Sequence, residues 1–461
     1  MTDLTATQPP SLRKRIWGWW FFDWASQPYH TLLVTFVFGP FFASVATDYF
    51  LSTGLDGEAA RAQAQSSWSL CLTLTGLIIG LSAPFLGAFA DISGRRLPWI
   101  IVFSTAYVVG AGGLWFTDPA GGNMWWMLVS FGLGFIGAEF AAIFVNAQLP
   151  SLGAKEDVGQ VSGSGFAFGY LGGVLALFIM LLLFVEQDSG KTLIGLDPLF
   201  GLDASQKQGT RAVGPFVALW FAVFMVPYFA WVRDTRGPRQ GAASLGRAVF
   251  MVVNSVKALA HRRSLASYLA SSMLYRDALN GLYGFGGVYA GLVLGWSITN
   301  IGIFGVIAAI SAALFSWLGG IADKRFGPKP VIVAAILVLS FVCLIVVNMS
   351  RTQFFGVTLA EGSGLPDGIF FACGVLIGGF GGILQATSRT LMVRHTTPEN
   401  ATEAFGLYGL SGRATAFLAP ALIGLMTTAT GSARIGITPV IALFALGLLL
   451  LTRVDGEGDQ A

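Results

Sequence analysis

Long apolar runs alternate with short polar connections along nearly the whole chain. A bilayer-spanning helix needs about 20 mostly apolar residues. Runs of that kind occur at 17–46, 67–90, 98–116, 124–149, 161–185, 212–232, 265–294, 299–320, 330–349, 368–390, 402–427 and 435–452. The pattern predicts an all-α polytopic membrane protein with about twelve transmembrane helices. It also divides the chain into an N-terminal segment at 1–16, a six-helix bundle at 17–232, a basic linker at 233–264, a second six-helix bundle at 265–452 and a tail at 453–461. Residues 242–258 alternate apolar and polar at helical spacing, as in a helix lying on a membrane surface. Trp17, Trp19, Trp20, Trp125 and Trp126 lie near run ends and read as interfacial anchors.

Composition agrees with the pattern. The chain has 461 residues, of which 54% are hydrophobic and 11% charged, with mean hydropathy +0.69. Soluble proteins carry about 25% charged residues, so lipid is expected to cover much of this surface. Sixty glycines suit close helix–helix approach in a membrane. Cys71, Cys343 and Cys373 lie in apolar runs without metal-ligand spacing and read as small packing residues. Arg13-Lys14-Arg15 precedes an apolar run that lacks a clear small-residue cleavage site, so that run is read as a retained first helix.

Charge placement sets an expected orientation. With the N-terminus inside, inside segments hold eighteen of the 27 Lys and Arg, the outside loops hold six, and Arg276, Arg389 and Arg413 fall within spans. This bias places both termini in the cytoplasm. The linker contributes Arg233, Arg236, Arg239, Arg247, Lys257, Arg262 and Arg263. Positive-inside topology accounts for that charge better than lipid-headgroup recognition does.

An ionisable group at mid-bilayer costs at least about 2.5 kcal/mol on insertion scales, so it normally faces a partner or a wet cavity. Six charges are placed this way: Asp23, Glu139, Arg276, Asp277, Arg389 and Arg413. Pro28 follows Asp23 in the first span and cannot donate to the carbonyl of Trp24. Broken backbone beside a charge is one way to build a site at membrane depth; a pair between Asp23 and Arg389 as gate or fold lock weighs equally. Glu139, near the middle of the fourth span, is the leading carboxylate for proton exchange, against a permanent ion pair. Arg276 and Asp277 are adjacent and point about 100° apart on a helix, so one is expected to face the cavity and the other a neighbouring helix. Asn280 lies one turn beyond them, and Gln385 and Arg389 are one turn apart on one face. Arg413 suits a carboxylate or phosphate, or a salt bridge to Asp277 or Glu139. His30 follows Pro28-Tyr29 and reads first as a helix–helix hydrogen bonder, with a proton role second.

Gly163-Ser-Gly165-Phe-Ala-Phe-Gly169-Tyr-Leu-Gly172-Gly173 has the wrong spacing for a dinucleotide loop and reads as a packing face. There is no Walker loop, HExxH motif or credible Ser/His/Asp set, so no enzymatic activity, catalytic residue, metal or cofactor is expected beyond a proton as coupling ion. The expected partners are a small solute and membrane lipid, with no nucleic acid and no obligate protein partner.

One signature occurs twice. The first copy is Gly87-Ala-Phe-Ala-Asp91-Ile-Ser-Gly94-Arg95-Arg96 and the second is Gly319-Gly-Ile-Ala-Asp323-Lys324-Arg325-Phe-Gly327-Pro-Lys329. Asp23-Trp24-Ala25-Ser26 parallels Asp277-Ala278-Leu279-Asn280, and Ser162-Gly163 parallels Ser411-Gly412, in the same order along the chain. These parallels support two pseudo-symmetric halves. The first copy resembles the hairpin between helices two and three of the major facilitator superfamily. Within that superfamily, Phe22-Asp23-Trp24-Ala25-Ser26-Gln27-Pro28, the segment Leu86–Trp99 and Phe405-Gly406-Leu407-Tyr408-Gly409-Leu410-Ser411-Gly412-Arg413-Ala414-Thr415 resemble the Atg22-like vacuole effluxer group in its bacterial form.

The resemblance implies twelve helices in two six-helix bundles, alternating access, and a central cavity lined by the first, fourth, seventh and tenth spans. Asp23, Glu139, Arg276 with Asp277, and Gln385 with Arg389 fall one set on each of those spans. It implies that Asp91 sits near the N-terminus of the eleventh span and that Arg95 completes a latch between bundles, with Gly87, Gly94 and Arg96 in the same motif. Asp323, Lys324 and Arg325 form an altered second copy, one residue longer, with Pro328 where a basic residue belongs. The expected function is secondary active transport of a small solute, proton-coupled, in the bacterial cytoplasmic (inner) membrane. Amino-acid export leads, because the group's fungal member is associated with vacuolar amino-acid efflux. A sugar or drug exporter is the alternative within transport, and a lipid-handling or scaffold protein without a solute cycle is the alternative outside it.

Overall fold

The computed structural model describes residues 10–187, 189–232, 244–296 and 298–459, so Arg233, Arg236 and Arg239 of the linker lie outside the described residues. Among the described residues, ten helices are long and apolar enough to cross a bilayer: Leu12–Ser52, Ala59–Ser93, Leu97–Phe116, Met124–Ser151, Val158–Leu183, Gln208–Trp231, Asn300–Phe326, Pro328–Val347, Leu365–Arg394 and Ala433–Leu451. Two further predicted spans stand in their expected places without meeting that measure. The seventh, Arg263–Leu292, is a continuous helix of 30 residues that carries Arg276, Asp277 and several serines. The eleventh is broken into Ala401–Ala414 and Leu418–Thr430. Counting these two, the helix order is that of a twelve-span polytopic protein. A two-stranded hairpin, Gln353–Phe354 with Val357–Thr358, lies in the connection before the tenth span.

Pro28 shapes the first span. The α-helix Leu12–Pro28 gives way to a π-helical stretch, Tyr29–Phe36, before helix resumes at Phe38–Ser52. The carbonyl of Trp24, which Pro28 cannot serve, accepts a hydrogen bond from Trp220 Nε1 at 3.1 Å. The two indoles stack with centroids 5.8 Å apart. The broken turn is thus satisfied by the sixth span. Trp19, expected at an interface, is instead fully buried and donates from Nε1 to Val145 O at 3.0 Å. Helical spacing places it on one face with Phe22 and Ala25, which are also buried, and that face packs inward. Trp17 and Trp125 are exposed, as expected of anchors.

The chain packs as two compact units. The first comprises Met1–Thr75, Ala90–Gly153 and Leu171–Ala242, and the second comprises Gly76–Phe89, Ala154–Tyr170 and Ala243–Ala461. In the first unit the third and fourth spans cross where Gly110 lies directly on the Gly134 backbone and Gly137 on that of Tyr107. Gly172 and Gly173 receive the Trp24 and Thr31 side chains.

The second unit contains two crossings of similar construction. Gly87 of the second span meets the Thr402 carbonyl, and Gly406 meets Ala83 and Pro84. Gly163 of the fifth span meets Ser316 and Gly320 of the eighth. A Cβ on Gly163 would stand 2.5 Å from the Ser316 carbonyl oxygen. The linker helix Leu245–Ala258 buries Ala248 and Val252 and exposes Val249, Phe250, Val253 and Val256.

Small residues let helix backbones approach closely where apolar surface alone gives no preference for a neighbour. Gly163→Ala is therefore expected to lower thermal stability through overpacking, by about 1–3 kcal/mol. Gly76→Ala, at a helical position with open space around it, is expected to be neutral or slightly stabilising. Thermal unfolding of the two purified variants checks both.

Candidate functional site

In the first unit, the π-helical stretch sets the candidate groups. Tyr29 is fully buried and donates its hydroxyl to Phe131 O at 2.5 Å, pinning the first span to the fourth. His30 follows, and its Nε2 lies 3.8 Å from Glu139 Oε1. Glu139 is 22% exposed and His30 43% exposed at the side chain, so the pair is in reach of water. The His30 ring meets Phe135 edge-on at 5.9 Å. Asp23 is half-buried on the α-helical part of the same span. The carboxylate singled out on the fourth span thus meets a histidine whose proton role the sequence places behind helix–helix hydrogen bonding. The signal was its place just after Pro28, where a register change turns it toward the fourth span.

In the second unit, most intramembrane charges are held by helices. Arg276 Nη1 donates to Tyr408 O at 3.0 Å, and the guanidinium lies over the Tyr408 ring at 4.3 Å. Gly412 makes room for it, since a Cβ there would strike the guanidinium. Asp277 is buried, and its Oδ2 accepts from Ala419 N at 2.9 Å. The carboxylate therefore caps the N-terminal turn of Leu418–Thr430, where the helix dipole favours negative charge. Adjacent residues do point apart, but both reach the eleventh span, one to each of its pieces. Asn280 is exposed. Arg413 belongs to the helix Ala401–Ala414, and its side chain lies outside the described residues.

Gln385 and Arg389 form a ladder onto the fifth span. Gln385 Nε2 donates to the Tyr170 hydroxyl at 3.1 Å. Arg389 donates from Nε to Ser162 Oγ at 3.0 Å and from Nη2 to Ser162 O at 2.9 Å. Its guanidinium also lies 4.2 Å from the Phe166 ring centroid. Ser162, Phe166 and Tyr170 are spaced four residues apart and form one helix face. Ser162 in turn donates to Ala386 O at 2.8 Å.

The two signatures are built alike at their turns. Gly94 and Gly327 have φ of 65° and 80°, in the left-handed region that favours glycine. In the first copy Asp91 is buried and pairs with Arg96 Nη2 at 3.0 Å, while Arg96 Nη1 donates to Ala147 O at 3.4 Å. Arg95 is exposed. In the second copy Asp323 is buried against Gly159, in the first turn of the fifth span. Lys324 Nζ pairs with Asp157 Oδ1 at 2.8 Å, and Arg325 lies 5.2 Å from the Phe326 ring centroid. The extra residue and Pro328 do not prevent the second aspartate from reaching a helix start. Cys71, Cys343 and Cys373 are buried and free.

The fold is that of the major facilitator superfamily. The transporter FucP in its outward conformation superposes with a TM-score of 0.69 at 15% identity, covering 96% of this chain and 99% of that one. A bacterial homologue of the iron transporter ferroportin, in an outward-facing state, gives 0.62 at 14% identity, covering 96% and 98%. The chain belongs to the Atg22-like vacuole effluxer family, whose model matches residues 11–460. It is 24% identical over 444 residues to the MFS-type transporter YxiO of Bacillus subtilis (strain 168), covering 95% of this chain and 94% of the relative. Autophagy-related protein 22-2 of Neosartorya fischeri is 24% identical over 315 residues, covering 65% of this chain and 49% of the fungal protein. The chain is an integral membrane transporter and not an enzyme.

The Asp277 cap predicts a graded response. Asp277→Asn keeps an acceptor for Ala419 N–H and should fold normally, whereas Asp277→Ala should lose about 0.5–2 kcal/mol, the usual cost of a missing cap. Thermal unfolding of the pair in one detergent measures the difference.

Proposed function

We propose that this protein is a proton-coupled secondary transporter that moves a small zwitterionic solute, such as an amino acid, by alternating access across the bacterial cytoplasmic membrane. The observation that carries the coupling is the partly exposed His30–Glu139 pair, a base and an acid 3.8 Å apart at a register change in the first span. A carboxylate beside an imidazole can hold a proton between them or exchange it with water, and the preference shifts with local burial. A change in water access to the pair would alter its burial, which is how conformation and protonation become linked.

Side-chain chemistry within each unit supports the solute class. Asp23 and Glu139 offer carboxylates to an ammonium group. Arg276 is half-buried, and the N–H groups it does not spend on Tyr408 suit a carboxylate. Asn280 and Tyr283 are exposed and add neutral hydrogen-bonding capacity. The solved neighbours include a fucose:proton symporter and a proton:xylose symporter, so a sugar is the competing solute class. The Arg389–Ser162 and Lys324–Asp157 contacts serve in this reading as the clasp that parts when the turn end of the second unit opens.

Glu139→Gln is expected to abolish pH-gradient-driven flux in proteoliposomes while leaving expression and thermal stability near wild type. The solute is first chosen by thermal shift across amino acids, other zwitterions and sugars. Undiminished gradient-driven flux in Glu139→Gln sinks the coupling role, and a response to sugars alone sinks the zwitterion assignment.

A further inference from the structure

The helix of the seventh span begins at Arg263, and its N-cap residue Arg262 supplies no side-chain cap. The cap comes from the far end of the chain. Ser264 N and Leu265 N donate to Asp459 Oδ1 and Oδ2, each at 3.1 Å, and Arg262 Nε lies 3.5 Å from Asp459 Oδ2. A carboxylate there answers two orphan N–H groups and the helix dipole together. Asp455 N donates to Ser264 Oγ at 2.8 Å, and that oxygen lies 2.8 Å from His395 Nε2. His395 Nδ1 lies 2.9 Å from Leu391 O. Burial holds the His395 imidazole below its ordinary value, which suits a neutral ring donating from Nδ1 and accepting the Ser264 hydroxyl at Nε2.

The same segment reaches three more helix ends. Glu457 Oε2 pairs with Arg394 Nη1 at 2.9 Å, at the end of the tenth span. Lys329 Nζ, at the start of the ninth, donates to Val454 O at 2.7 Å. Lys155 Nζ, just before the fifth, donates to Glu457 O at 3.3 Å. Gly458 lies on the Arg394 carbonyl with φ of 89°, so the chain turns there in a way that side-chain-bearing residues resist. One short acidic segment therefore ties the ends of the fifth, seventh, ninth and tenth spans.

We propose that Arg453–Asp459 is a strap that holds this end of the second unit closed and must be released each time that end opens. The proposal rests on the alternating-access reading above. Lys155 is the tie that makes it a strap rather than a local cap: it belongs to the first half of the sequence, and the other three helix ends belong to the second. Any motion that separates the fifth span from the eighth and tenth must break the Lys155–Glu457 contact along with Lys324–Asp157 and Arg389–Ser162. Asp459, Asp455, Arg262 and the stacked ring of Tyr268 surround His395, so the strap is seated in a charged and partly buried nest.

Hydrogen–deuterium exchange of the full chain in lipid nanodiscs tests this without any solute. The strap variant is Glu457→Ala with Asp459→Ala, which removes the acceptors for Arg394 and for the helix start, Arg389→Gln breaks the clasp directly, and Asp197→Asn removes an exposed pair elsewhere. The strap variant should exchange several-fold faster at 154–165 as well as at 259–268, with Asp197→Asn unchanged. A rise confined to 259–268 and 453–459 would reduce the segment to a local cap and overturn the proposal. No rise at 154–165 in the strap variant, against a clear rise in Arg389→Gln, overturns the strap and leaves alternating access standing. No rise in either variant removes both.

Discussion

Every charge placed inside a span must find a partner there, because hydrocarbon offers no water to replace one. That constraint governs the second unit. Arg276 answers a carbonyl and an aromatic face, Asp277 answers a helix N-terminus, and Arg389 answers a serine hydroxyl and its carbonyl. None of these contacts pairs one intramembrane charge with another. Each instead joins a charge to backbone, hydroxyl or aromatic dipoles. The break in the eleventh span follows from the same rule: the helix can restart at Leu418 because Asp277 supplies what its first turn lacks.

Close approach is the second requirement. Gly87 on Thr402 and Gly163 on Gly320 bring backbones together in crossings that a methyl group would disturb. Polar contacts are then laid across the crossings, with Arg389 on Ser162 and Lys324 on Asp157. Packing without directional bonds would leave such helices free to slide; bonds without packing would leave polar groups in lipid. Together they give an arrangement that is stable yet breakable at a few defined points, which suits a protein that must change state.

Much of the fold was legible in the residues. Apolar run length located the helices, and the glycines of the repeated signature, Gly94 and Gly327, marked two left-handed turns. Site chemistry was less legible, for reasons that lie in tertiary contact. The carbonyl freed by Pro28 looked like part of a site, but Trp220, nearly two hundred residues away, occupies it. Arg95 and Arg96 are neighbours of equal charge, and only the turn at Gly94 decides which one faces Asp91. Arg276 and Asp277 both reach the eleventh span because that span is broken, which no periodicity in the seventh could reveal. His30 needed the π-helical register after Pro28 to meet Glu139.

The proposed transport cycle turns on the His30–Glu139 pair carrying the proton while Asp277 only caps a helix. Infrared difference spectroscopy of the reconstituted protein, titrated across the neutral range, reads carboxyl protonation directly. The account predicts a titrating carboxyl band that disappears in Glu139→Gln and persists in Asp277→Asn. A band that survives in Glu139→Gln and is lost in Asp277→Asn would contradict it.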